Sequence, residues 1–175
     1  MRTYMLAAAL AVTSLMHTPS ASAQVSLSGR AVPLSVAMEA ALEAVNACKA
    51  NGYEVTATVV DVAGTPQVVL RGDHATIHTK DTAFRKAYTI VTMGPIFHVD
   101  TTSAWLDRLS KYPPLAAQSL MSTPNIMALG GGVAFKAGDE IIGGLGVGGS
   151  PGAEKDEVCA AAGVAKVQAQ LNGGK

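Results

Sequence analysis

Between Pro33 and Cys48 the apolar residues Leu34, Met38, Ala41, Val45 and Cys48 recur at alternating steps of four and three. Ser35, Glu39, Glu43, Asn46 and Lys49 fill the positions between them. That spacing predicts an amphipathic helix with the first set against the core. Pro33 suits its first turn, and Asn51-Gly52 supplies a stop. The period then changes to two. Tyr53, Val55, Ala57 and Val59 alternate with Glu54, Thr56, Thr58 and Val60, as in a half-buried strand. Asp61 to Pro66 carries turn chemistry, and Gln67 to Leu70 returns as a hairpin partner.

Thr79 is a good N-cap for a helix to about Val91, with Asp81 in its first turn and Phe84, Ala87 and Val91 as its buried stripe. Pro95 is expected to end it. A further helix is expected over about Thr102 to Lys111, broken by Pro113-Pro114. Val133–Phe135 and Glu140–Val147 form a second hairpin, turning at Ala137-Gly138-Asp139, and a last helix covers about Ala153 to Leu171. The order predicts one α+β domain with an antiparallel sheet of about five strands, the fifth short and at an edge, flanked by helices.

Residues 1–23 stand apart. Arg2 gives a positive start, Met5 to Met16 is too short to span a bilayer, and Ala21-Ser22-Ala23 fits a cleavage site. A secretory signal peptide is the expectation, and an uncleaved anchor is the alternative. The mature chain, residues 24–175, then has no membrane span and is periplasmic or secreted. Removing Arg2 leaves 12 cations against 13 anions. With no basic run, nucleic acid is not an expected partner. In an oxidising compartment the only two cysteines, Cys48 and Cys159, are expected to form a disulfide between the first and last helices. Two separate buried thiols are the alternative.

Chemistry concentrates in Arg71–Tyr88, RGDHATIHTKDTAFRKAY. Two of the three histidines of the mature chain, His74 and His78, lie four residues apart in a loop that opens a helix carrying Arg85 and Lys86. Metal-seeking nitrogens beside anion-seeking cations fit an iron porphyrin with two propionates. The blander reading makes His78 an exposed loop residue and Arg85 and Lys86 a solvated helix face, with Lys86 paired to Asp61 or Asp73. His98 reads as a surface residue. GLGVGG at 144–149 matches a dinucleotide fingerprint in spacing alone, because no βαβ unit follows and no acidic residue lies about 20 positions on. With a period of two, Gly144, Gly146 and Gly148 instead bare one strand face for a packed helix or a flat ligand.

The segments VVDVAG at 59–64, RGDHATIHTKDTAFRKAYT at 71–89, ALGGGVAF at 128–135 and GGLGVGGSPGAEKDEVCAAAG at 143–163 resemble the HbpS/GlcG-like haem-binding and haem-degrading family. The same domain is similar to the C-terminal part of PduO-type proteins. The match runs in order over nearly the whole mature chain. It implies a homo-oligomer that binds haem, haem b being the expectation, with slow peroxide-dependent haem breakdown and iron release in some members. The family's HT pair falls on His78-Thr79, the implied iron-ligand region, and its basic pair on Arg85 and Lys86. His74 replaces a usual small residue, either adding an axial ligand or standing as a solvated loop histidine. A binder or enzyme for small organic acids, using the same cations, and a ligand-free oligomeric module are the competing readings.

Overall fold

The computed structural model describes residues 28–173, so the expected signal peptide lies outside the described residues. Helix α1 spans Leu34–Lys49 and leads to the hairpin of β1 (Thr56–Val60) and β2 (Pro66–Arg71). Helices α2 (Thr79–Phe97), α3 (Thr102–Leu109) and α4 (Pro114–Met121) follow. The second hairpin is β3 (Gly132–Ala137) with β4 (Glu140–Gly148), and α5 (Ala153–Gly173) closes the chain.

All pairings are antiparallel, in the order β2-β1-β4-β3. The expected fifth strand is reduced to a single bridge, Thr101 to Val133, beside β3. The sheet has a core on each face. On one, α1 and α5 cover Ala57, Val59, Phe135, Leu145 and Val147. On the other, α2 and α3 cover Val60 and Ala134 with Ala87, Ile90, Val91 and Trp105.

The α1–α5 layer is held by the expected disulfide. Cys48 and Cys159, 111 residues apart, are bonded with their Cα atoms at 5.5 Å. The rest of α1 corrects the sequence reading. Its buried residues are Val36, Ala37, Ala40, Ala41, Ala44 and Cys48. Leu34 and Met38, expected inside, are 55% and 50% exposed. The cause is close packing: a Cβ on Gly163 of α5 would strike the Ala40 carbonyl oxygen. Only an alanine face fits so near, and the larger side chains turn outward.

Opposite, α2 lies directly on the bare glycine face of β4. A Cβ at Gly144 would stand 2.8 Å from the Ala87 carbonyl oxygen, and one at Gly146 would collide with that of Ala83. Helix packing is therefore what the glycine stripe serves. Pro95 does not end α2, which runs on to Phe97. A proline this late removes only one hydrogen bond, to Val91, before the helix closes. Helix α3 ends at Leu109, ahead of Pro113-Pro114 as expected, and a further helix α4 then starts with Pro114 in its first turn, where its missing N–H is not needed.

Candidate functional site

After β2, the chain crosses residues 72–78 to α2. His74 and His78 are both exposed on this crossing. His78 is the cap residue of α2, and Ile77 beside it is 71% exposed. Arg85 lies seven residues along, two turns and nearly the same helix face, about 10 Å from His78 along the axis. The half-buried Arg85 donates from Nη2 to the Ile126 carbonyl oxygen at 2.8 Å. A turn further, Thr89 Oγ1 accepts from Met127 N–H at 2.8 Å. Arg85 and Thr89 thus pin the 126–127 segment to α2 and give this face a wall that sequence spacing did not reveal.

Thr79 and Lys86 turn inward. Thr79 is fully buried, and its hydroxyl shares a 2.7 Å hydrogen bond with Thr56 Oγ1 and donates to the Thr76 carbonyl oxygen at 2.6 Å. That oxygen closes the entry to α2 and ties it to β1. Lys86 is one position past Arg85, about 100° round the helix, and points into the protein. Its ammonium lies 2.6 Å from Asp156 Oδ2, with both side chains 4% exposed. The partner is neither Asp61, which caps its own turn through Ala63 and Thr65 N–H, nor Asp73, which pairs with Lys49 at the surface. The family's basic pair is therefore split, with Arg85 on the histidine's face and Lys86 spent on an internal ion pair.

That ion pair organises the glycine-rich loops. Asp156 Oδ1 accepts Ser150 N–H at 2.9 Å. Glu157 Oε2 accepts Ser103 N–H at 3.0 Å and Gly131 N–H at 3.1 Å, while Ser103 Oγ donates to Oε1. Gly131 has φ +118°, and a Cβ there would stand 2.8 Å from Lys86 Nζ. Neighbouring carboxylates of α5 thus secure the start of α3, the Gly130–Gly132 turn and the end of β4. Asp156 and Glu157 carried no signal in the sequence, because apart from Ser150 their partners lie 26 to 70 residues away.

His98 is exposed, as expected, at the left-handed end of α2. Among the described residues no group of three or more His, Cys, Asp or Glu side chains could hold a bare metal ion. Among them, too, no helix is long and apolar enough to cross a membrane.

No curated protein matches the chain. Among solved structures, a double mutant of Streptomyces reticuli HbpS is 33% identical with a TM-score of 0.70, covering 93% of this chain and 98% of that one. A second HbpS structure is 32% identical with a TM-score of 0.71 over 85% of this chain and 98% of that one. A haem complex of PduOC is 27% identical with a TM-score of 0.67, over 77% and 94%. The family described as haem degrading protein HbpS-like matches residues 32–165, most of the chain. On that match, and on these likenesses in sequence and fold, the chain belongs to the HbpS-like family.

Proposed function

We propose that this is an exported haem-binding protein and that haem b sits on the face where α2 begins, with the His78 imidazole as iron ligand and Arg85 facing a propionate. Family membership, together with the haem complex of a 27% identical relative, supports haem as the ligand. The observation that carries the site is the placement of an exposed imidazole and a guanidinium on one face of α2, two turns apart. An imidazole nitrogen is an ordinary axial ligand. Arg85 spends one of its five N–H donors on Ile126, and its fork suits a carboxylate. Exposed Ile77 offers apolar surface to the edge of the macrocycle. His74, exposed on the same loop, is a second candidate contact with haem. Export is supported by the leader-like N-terminus and by a disulfide, which persists in oxidising compartments.

Bound haem supplies iron that activates peroxide against the porphyrin's own meso carbons, so slow haem breakdown with iron release is the activity expected of the complex. The chain's contribution is to hold the ring and orient it by its propionates.

Titration of the mature protein with haemin tests this reading. A sharp, shifted Soret band saturating at one haem per chain, weakened in His78→Ala, is expected. A broad band that never saturates would refute it.

A further inference from the structure

We propose that Thr89 is a positioning residue for the ligand: it holds the Arg85 guanidinium in the orientation that meets a propionate, and so sets a preference for porphyrins with free carboxylates. The inference deepens the haem reading and rests on it. Thr89 is fully buried on α2, one turn past Arg85. Its hydroxyl donates to the Arg85 carbonyl oxygen at 2.8 Å and accepts Met127 N–H at 2.8 Å. Back-bonding of threonine to the preceding turn is ordinary in helices, and Thr82 and Thr92 do the same. Among the described residues, Thr89 alone of these three also accepts from a segment outside α2.

The two bonds that reach residues 126 and 127 meet a single group. The Ile126 carbonyl and the Met127 N–H are the two ends of one peptide unit, which is planar and rigid. Arg85 Nη2 holds the carbonyl at 2.8 Å, and Thr89 Oγ1 holds the N–H. Fixing the N–H therefore fixes where the carbonyl points. With its proton committed to the Arg85 carbonyl, the Thr89 oxygen has only lone pairs left, which is what the Met127 N–H needs. Without the hydroxyl the peptide is free to turn, and the acceptor of Arg85 turns with it.

Little else orients that peptide. Upstream, α4 buries no residue, whereas α3, of the same length, buries Thr102, Trp105 and Leu109. Residues 122–125 are all exposed, and Ile126 N–H closes only a local turn onto the Thr123 carbonyl oxygen. Downstream, the next hydrogen-bonded mooring among the described residues is Gly131 N–H on Glu157. The Ile126 side chain, 2% exposed, anchors the segment in the core but leaves rotation of the peptide plane to Thr89 and Arg85.

The orientation matters because a guanidinium is a planar fork: tethering one N–H fixes the direction of the others. A free arginine loses rotamers when it meets a carboxylate, and a tethered one has lost them beforehand. Thr89 touches no ligand in this account. It acts on the propionate through the peptide and Arg85, so its effect belongs to ligands that carry free carboxylates.

Soret titrations of the mature protein with haemin and with haem dimethyl ester test this, the wild type being expected to favour haemin. Thr89→Val, of nearly the same shape without the hydroxyl, should weaken haemin by about two- to tenfold, the range for ordering one long side chain, and leave the ester unaffected. Thr89→Ala serves the same purpose where valine disturbs the fold. Thr89→Ser keeps the hydroxyl and should retain the wild-type preference. Added to Arg85→Ala, Thr89→Val should cost no further haemin affinity, because it acts through that side chain. Equal weakening of both ligands would mark a merely structural role and overturn the proposal. If Arg85→Ala alters the preference and Thr89→Val does not, the role of Thr89 fails and the haem site stands. If Arg85→Ala itself leaves the preference unchanged, the propionate contact is wrong and the role of Thr89 falls with it.

Discussion

Replacing Lys86 by methionine keeps most of the side-chain volume and removes the ammonium. The structure makes this costly, because Asp156 is left 4% exposed with only the Ser150 N–H as a partner. Breaking a buried ion pair by removing one member costs about 3–5 kcal/mol, since the remaining charge stays desolvated. A domain of this size loses roughly 2–4 °C in melting temperature per kcal/mol, so a fall of about 6–20 °C is expected. Changing both partners, Lys86→Met with Asp156→Leu, removes the stranded charge. It should cost less than the two single changes added together, the shortfall being on the order of 0.5–3 kcal/mol. Urea and thermal unfolding of the disulfide-intact protein, followed by circular dichroism, measure all three variants. Haemin affinity at a temperature where each is folded should match the wild type, because Lys86 lies inside the protein. The reasoning fails if Lys86→Met costs less than about 1 kcal/mol, the value of a surface pair, or if it weakens haem as much as the loss of Arg85.

Arg85→Ala should weaken haemin binding by about tenfold or more, the loss of one charge-assisted contact of about 1.5–3 kcal/mol, with little change when a haem dimethyl ester replaces haemin. Equal weakening for both ligands would show that Arg85 does not meet a propionate. Reducing the Cys48–Cys159 bridge, or changing both cysteines to serine, should lower stability by about 2–5 kcal/mol, as expected for a loop of more than a hundred residues. Comparing urea midpoints with and without reductant checks this. Gly146→Ala should destabilise by at least about 1–3 kcal/mol, because its methyl group meets the backbone of α2 rather than a movable side chain. An unfolding midpoint within error of the wild type would mean that α2 does not rest on β4 as described.

Much of the architecture could be read from spacing because its causes are local. Period-two alternation placed the strands, and Thr79 with Asp81 marked the start of α2 to within one residue, although His78 holds the cap position that Thr79 was expected to fill. The bare stripe Gly144-Gly146-Gly148 foretold a close-packed layer. Where the reading went astray, the cause was tertiary. Periodicity ranks apolar residues by size, so it chose Leu34 and Met38 for the core of α1. Contact with α5 instead demanded the alanine face, and the large residues were left outside. Proline was read as a stop at 95, although a helix tolerates it near its end, and the short helix that Pro114 begins was not foreseen. The candidate site shows the same division. His78 and Arg85 share a face because seven residues make two turns, which a sequence states outright. That Lys86 turns to Asp156 depends on a partner 70 residues away, which no local pattern encodes.

The central claim is that a His78 nitrogen binds haem iron on the face shared with Arg85. Pulsed electron paramagnetic resonance of the ferric haem complex, prepared from protein with ¹⁵N-labelled histidine, tests it most directly. Hyperfine coupling from a bound histidine nitrogen is predicted in the wild type and lost in His78→Ala. The same coupling surviving unchanged in His78→Ala would contradict the account.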